Sequence, residues 1–285
     1  MIELNRIYNE DCLEGMKRIP DDFVDLTVTS PPYDNLRTYN GYIEQWSFDK
    51  FKAIAKELYR VTADGGVVVW VVGDATINGS ETGTSFRQAL FFKDCGFNLH
   101  DTMIYKKHAR HPPNVRYWQC FEYMFVFSKG KPKTFNPLMQ MKKCIEKNSN
   151  KTCTYRHTYR QKDGSLKTLN ENAIKRLKKA AQNNYRIADN IWEIQAGYTT
   201  SAKDKYAYKH PAIFPEQLAQ DHILSWSNEG DIVLDPMAGS GTTLKMAIKN
   251  NRNYIGFEIS KEYVDIINKR IDEIKSKKES YIFNL

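Results

Sequence analysis

Val67 to Val72 reads Val-Val-Val-Trp-Val-Val, an unbroken apolar run set between Gly65-Gly66 and Gly73. A strand apolar on both faces must be covered on both, which is the situation of a parallel strand between two helix layers. Asp25 to Thr29, Asp231 to Asp235 and Asn253 to Glu258 read as further strands of the same sheet. A short alternating stretch lies at Arg6 to Asn9, and two more strands near Thr102–Tyr105 and Glu122–Phe127. Between them, apolar residues at helical spacing predict helices over Leu13 to Met16, Phe51 to Val61, Ser85 to Cys95, Pro215 to Ser227, Thr242 to Lys249 and Lys261 to Lys275. Strands alternating with helices predict a doubly wound α/β domain with a mostly parallel sheet. Trp70, inside the apolar run, is expected to be core.

That rhythm stops between residues 132 and 208, where Lys, Asn, Tyr and Thr dominate. A stretch of that length is too long for a simple loop and predicts an inserted subdomain dividing residues 1–131 from 209–285. Charge marks the same region. The chain of 285 residues has 42 Lys and Arg against 34 Asp and Glu, yet Lys131 to Arg186 alone carries fifteen basic and three acidic residues. The remainder is mildly acidic. A basic block on such a body suggests a surface for a polyanion; a merely solvated insertion is the competing reading. Asn172 to Gln182 is expected to form one basic helix within it. The five cysteines include no Cys-x-x-Cys pair, which argues against a disulfide framework and for a reducing interior. Cys144, Cys153 and His157 are too unevenly spaced to make a metal site, and none is expected. No apolar run is long enough to span a bilayer and no signal-type stretch opens the chain, so a cytoplasmic location is expected.

Two segments carry chemistry. Asp235-Pro236-Met237-Ala238-Gly239-Ser240-Gly241-Thr242-Thr243 is a strand end, a glycine loop and a helix start, where open α/β sheets bind ligands. Glu258 ends the next strand, placed to accept bonds from a ribose diol. The glycine spacing is not G-x-G-x-x-G, and no Lys follows Gly241, so dinucleotide and phosphate-loop sites are disfavoured. A plain strand-to-helix turn stays open as the alternative. The second segment is Ser30-Pro31-Pro32-Tyr33. The prolines fix the backbone, leaving rigid acceptors beside an aromatic ring, an arrangement suited to a planar ligand bearing an amino group. A proline-rich cap on the strand is its bland alternative.

Together these segments resemble the amino-group DNA methyltransferases, which methylate N4 of cytosine or N6 of adenine using S-adenosylmethionine. Asn9-Glu10-Asp11-Cys12 is similar to the family's adenine-contacting segment, and Ser30-Pro31-Pro32-Tyr33 to its catalytic tetrapeptide. His210 to Glu216 is similar to the segment before the cofactor loop, and Asp235 to Thr243 to that loop. Ile213-Phe214 departs from a frequent polar pair, and Met237-Ala238 stands where Phe is common. The tetrapeptide precedes the loop, which is the permuted order of the beta group; protein glutamine methyltransferases have the loop first. The resemblance therefore implies a Rossmann-like, permuted methyltransferase fold with an inserted target-recognition region.

It also implies roles. Ser30, Pro31, Pro32 and Tyr33 would be catalytic, accepting the amine's N–H bonds and stacking on a flipped base. Asp11, Cys12, Asp235, Met237, Gly239, Ser240, Gly241, Thr242 and Glu258 would hold the cofactor. In the basic block, Arg156, Arg160, Lys175, Arg176, Lys178 and Lys179, interleaved with Tyr155, Tyr159 and Tyr185, would contact double-stranded DNA. No Pro-Cys pair exists, so the C5-cytosine route has no nucleophile. Ser at the head of the tetrapeptide favours N4 of cytosine as a family tendency, with N6 of adenine the alternative. RNA or protein methylation and a non-enzymatic DNA-binding module are more distant. His100, His108 and His111 read as ordinary histidines, and Asp74 as a further candidate at the sheet edge. A restriction endonuclease partner would be a separate protein, and the oligomeric state, a homodimer included, is left open.

Overall fold

The protein is seen in a computed structural model that describes residues 2–34, 41, 46–107, 115–142 and 158–283, with backbone alone for 181–182 and 277–283. The chain forms two compact units, one of residues 1–136 with 190–285 and one of residues 137–189.

In the larger unit the order is β1 (Arg6–Tyr8), α1 (Cys12–Met16), β2 (Val24–Thr29), α2 (Phe48–Val61) and β3 (Thr62–Val72), followed by a small hairpin of β4 (Thr76–Ile77) and β5 (Ser80–Glu81). Then come α3 (Thr84–Asp94), β6 (Asn98–Lys106) and β7 (Phe121–Ser128). The smaller unit holds β8 (Met139–Met141), β9 (Thr158–Arg160), β10 (Leu166–Thr168), α4 (Glu171–Gln182) and β11 (Tyr185–Ile187). The larger unit resumes with β12 (Ile191–Glu193), α5 (Glu216–Trp226), β13 (Ile232–Asp235), α6 (Thr242–Lys249), β14 (Asn253–Phe257) and α7 (Lys261–Phe283).

Eight strands make one sheet in the order β1-β14-β13-β2-β3-β7-β6-β12. All pairings are parallel except those of β7, which runs against both β3 and β6. The apolar run explains the layering. Val67, Val69 and Val71 point into a core shared with Leu218 and Ile223 of α5, Leu244 of α6 and Ile267 of α7. Val68, Trp70 and Val72 point the other way, against Phe51, Ile54 and Leu58 of α2 and Phe92 of α3. Each such side chain, fully withdrawn from water, contributes roughly 1.5–3 kcal/mol. The Trp70 indole, buried as expected, donates to Gln88 Oε1 at 2.8 Å. Helix α2 is aimed by its cap, the Ser47 hydroxyl accepting from Lys50 N at 3.1 Å, and by the buried series Phe51, Ile54, Ala55, Leu58 and Val61.

Among the boundaries that differ from the sequence reading, two have a direct physical reason. Strand β3 continues back through Asp64-Gly65-Gly66, because Gly65 takes a φ of +73° and donates to the Lys129 carbonyl at 2.7 Å. The insertion read as 132–208 contributes a separate unit only over 137–189. Residues 190–208 belong to the larger unit, where β12 adds in parallel to the free edge of β6.

In the smaller unit β8 pairs with β11 and β9 with β10, both antiparallel. Asn170 caps α4, accepting from Ala173 N at 2.8 Å. Among the described residues no helix is long and apolar enough to cross a membrane, and no group of His, Cys, Asp and Glu could hold a metal ion. Cys144, Cys153, His157, His108 and His111 lie outside the described residues.

Candidate active site

Strands β2 and β13 are sheet neighbours although about two hundred residues separate them in sequence. From β13 the sheet runs one way through β14 and β1, and from β2 the other way through β3, so a crevice is expected where their carboxyl ends meet. A cavity of about 950 Å³ lies there. Ser30, Pro32 and Tyr33 line it from the end of β2; Asp235, Met237, Gly239, Ser240 and Thr242 line it from the end of β13. Asp11, Cys12 and Glu258 also face it. Pro31 is buried beneath the surface, and Gly241 turns instead towards α7, where an added Cβ would lie 2.8 Å from Ile267.

The two segments are tied directly. Thr29 Oγ1 donates to Asp235 Oδ1 at 2.7 Å, and Thr243 Oγ1 donates to the Val28 carbonyl at 3.0 Å. Burial pushes the Asp235 carboxyl up to about 6. Glu258 is held by two backbone donors, Gly239 N to Oε2 and Ser260 N to Oε1, each at 2.8 Å. Burial, with a smaller contribution from Asp235, outweighs those bonds and lifts the Glu258 carboxyl to about 7. Each carboxylate oxygen retains lone pairs, so the group can take two further donors such as a vicinal diol.

Gly239 has a φ of +52°, and a Cβ there would lie 2.9 Å from His210 Nε2. Burial lowers His210 to about 4, so the imidazole is neutral, packed edge-on against the Tyr263 ring. Ile213 and Phe214, which stand in place of a polar pair, give the cavity an apolar wall. Asp11 caps α1 through Leu13 N at 2.8 Å and pairs with Lys50 through its other oxygen. Burial pushes the Cys12 thiol up to about 12, leaving it neutral and unreactive.

Arg160 is exposed on β9, and Lys175, Arg176, Lys178 and Lys179 are exposed on α4. At i, i+3 and i+4 spacings those four share one face, and among the described residues none forms an ion pair. Arg186 of the same block is instead held in a two-bond fork by Asp189, at 2.6 and 2.8 Å. Arg156 lies outside the described residues. Asp74 does not face the cavity; it accepts from Ser85 N at 2.8 Å and Ser85 Oγ at 2.5 Å, securing the start of α3.

Residues 24–269 match the family model described as DNA methylase. The chain belongs to the DNA methylase family. An orphan methyltransferase of Bacillus amyloliquefaciens, M.BamHII, is 57% identical over 256 residues, covering 90% of this chain and 91% of that one. The DNA adenine methyltransferase YhdJ of Escherichia coli K12 is 29% identical over 95% of this chain and 83% of its own. In fold, the chain resembles the cytosine-N4-specific PvuII DNA methyltransferase with a TM-score of 0.64 at 20% identity, over 95% of this chain and 89% of that one. A DNA methylase of this kind takes its methyl group from S-adenosylmethionine.

The methylase carries two groups near its cavity that sequence reasoning did not single out. Beneath the glycine loop, Arg270 of α7 is fully buried and donates to the Ser240 carbonyl at 2.7 Å and Thr242 Oγ1 at 3.1 Å. With Lys245 it also pairs to Asp204 and Glu216, at 2.5 to 2.9 Å. Burial alone would raise Asp204, but the two cations outweigh it and hold the carboxyl below its usual value. The second group is Glu122 with Lys107. Tyr33 donates to Glu122 Oε2 at 2.9 Å, and both Glu122 and Lys107 line the cavity.

Proposed function

We propose that this methylase forms N4-methylcytosine, transferring methyl to the exocyclic amine of a cytosine flipped out of double-stranded DNA. One cavity lined by both the tetrapeptide and the glycine loop with Glu258 carries the reading of methyl transfer to an amine, and Ser30 at the head of the tetrapeptide supports cytosine. S-adenosylmethionine, when bound, supplies an electrophilic methyl on a positively charged sulfur. The chain's residues fit such a ligand: two buried carboxylates, raised to about 6 and about 7, favour a partner bringing positive charge and hydroxyl donors. Glu258 receives the ribose hydroxyls, Asp235 faces the cationic part, and Gly239 lets the ligand approach the backbone. Asp11 and Cys12 wall the same side.

At the other side Ser30 and the Pro31 carbonyl accept the amine's N–H bonds, drawing lone-pair density back onto nitrogen. The Tyr33 ring stacks on the base. Positioning then supplies most of the rate, since the amine attacks directly without a covalent enzyme adduct. The flipped base costs a few kcal/mol of unstacking, offset by this stacking and by phosphate contacts from Arg160 and α4. A cognate endonuclease, where one accompanies the methylase, is a separate protein.

Nucleoside mass spectrometry after incubating unmethylated bacterial DNA with methyl-deuterated cofactor tests the reading. Labelled N4-methylcytosine is expected. Labelled N6-methyladenine alone would overturn the choice of cytosine, and no label in DNA would overturn the reading as a whole.

A further inference from the structure

The geometry points to Glu122, held by Lys107, as the residue that orients Ser30 towards the substrate amine and receives the proton the amine loses, acting through Tyr33. The inference rests on the reading of Ser30 as the group facing that amine. Glu122 belongs to the start of β7, the reversed strand of the sheet. Because β7 runs backwards, its first residues reach the edge at which the parallel strands end, opposite Tyr105 in register. There the Tyr33 hydroxyl donates to Glu122 Oε2 at 2.9 Å, and Ser30 Oγ lies 2.9 Å from the same hydroxyl. Lys107 is paired with the other carboxylate oxygen, Oε1. Ser30, Tyr33, Lys107 and Glu122 all line the cavity.

The direction of these bonds follows from counting protons. A carboxylate beside an ammonium accepts only, and each hydroxyl has one proton to give. Tyr33 gives its proton to Glu122. The Ser30–Tyr33 contact must then use the proton of Ser30, which leaves the Ser30 oxygen with only lone pairs to offer. That is the state needed to accept an amine N–H. With no anion at position 122 the chain can reverse, and Ser30 would then present its own proton to the amine's hydrogens.

The same wire disposes of the proton. As the N–C bond forms and the C–S bond breaks, sulfur keeps the bonding pair and nitrogen carries one proton too many. That proton passes to Ser30 Oγ, the proton of Ser30 passes to the Tyr33 oxygen, and the proton of Tyr33 passes to Glu122. The product amine leaves neutral, and Glu122 returns its proton to water afterwards. Glu122 acts through Tyr33 and Ser30, so it is a positioning residue and a terminal acceptor.

The test ranks three variants by steady-state kinetics on unmethylated bacterial DNA. Glu122→Gln keeps the shape and an accepting oxygen but takes no proton; Glu122→Asp keeps the carboxylate on a shorter stem. Glu122→Gln should lose about 10²-fold in kcat with KM for DNA and cofactor within about twofold, and Glu122→Asp should recover part of the loss. Tyr33→Phe, which cuts the wire and keeps the ring, should lose as much, and the double variant no more. A merely structural role predicts the opposite order, with Gln tolerated better than Asp. Glu122→Gln at the wild-type rate, or slower than wild type yet faster than Glu122→Asp, would overturn the inference while leaving methylation of DNA intact. Wild-type protein that places no methyl in DNA would overturn the reading of the site itself. If the Glu122 variants fail to bind cofactor in calorimetry, Tyr33→Phe decides: an undiminished kcat overturns the relay.

Discussion

Replacing Glu258 by Gln should raise the stability of the free protein relative to wild type as pH rises to 8, and weaken its cofactor complex. The reason lies in the burial that lifts this carboxyl from 4.5 to about 7. In the unfolded chain the group ionises near 4.5, whereas in the fold it resists ionisation until about 7. A folded-state value above the unfolded one in an acid means that the fold binds the proton more tightly. Its contribution to stability is therefore present below about 4.5 and lost as pH rises through about 7. At 1.36 kcal/mol per unit, the loss at pH 8 is about 3 kcal/mol. Gln has the same shape and never ionises, but its amide nitrogen meets one of the two backbone N–H donors that Glu258 accepts, a cost that is the same at every pH. The stability of Glu258→Gln relative to wild type, from urea unfolding, should thus rise by up to about 3 kcal/mol between pH 4.5 and pH 8.

Cofactor affinity should move the other way. Ribose hydroxyls donate to the ionised group, and a hydrogen bond to a charged acceptor contributes about 1.5–3 kcal/mol, so calorimetry should show a loss of about 10- to 100-fold at pH 8. For wild type, affinity should climb with pH through about 7 as the carboxyl ionises, and the Gln variant should lack that limb. A stability difference flat in pH would refute the argument from burial. Unchanged affinity at pH 8 would refute the assignment of Glu258 to the ribose.

Gly239→Val puts a β-branched side chain at a φ of +52° and its Cβ 2.9 Å from His210, so cofactor binding in calorimetry should weaken while circular dichroism remains that of a folded protein. Neutralising Lys175, Arg176, Lys178 and Lys179 to Gln should flatten the salt dependence of DNA binding by about 0.9 in log–log slope for each phosphate that no longer meets a cation, without moving cofactor affinity. Arg270→Met leaves Asp204 and Glu216 short of a cation in a buried cluster and should cost about 3–5 kcal/mol in urea unfolding, a loss that Arg270→Lys only partly restores.

Much of this fold is legible because each strand states its own environment. The run Val67 to Val72 needs apolar partners on both faces, and the structure divides it residue by residue between two cores. The glycine loop and the Ser30 tetrapeptide are legible for a related reason, since each is contiguous and its chemistry is local. The end of the insertion was not. Ile191 to Glu193 is a strand of three residues among polar neighbours, and only its pairing with Ile104 to Lys106 draws it into the larger unit. No periodicity spans three residues. Asp74 shows the converse: a carboxylate at the sheet edge looks functional in sequence, but its oxygens are spent on Ser85.

What escapes a linear reading at the site has one physical origin, the direction in which a strand runs. Had β7 been parallel, Glu122 would open its strand at the edge away from the cavity and Ser128 would close it beside Tyr33. Reversal exchanges those ends, and a carboxylate and its lysine, fifteen residues apart, come to face the tetrapeptide. The sequence of β7 is apolar from Met124 to Phe127 in either direction, so composition does not record which way it lies. Arg270 is hidden in a similar way. On α7 it reads as one cation among many, and its burial against the Ser240 carbonyl depends on Gly241 allowing Ile267, and with it the helix, to pack close. The motifs that bind are written in neighbouring residues, whereas the groups that orient them are recruited by topology.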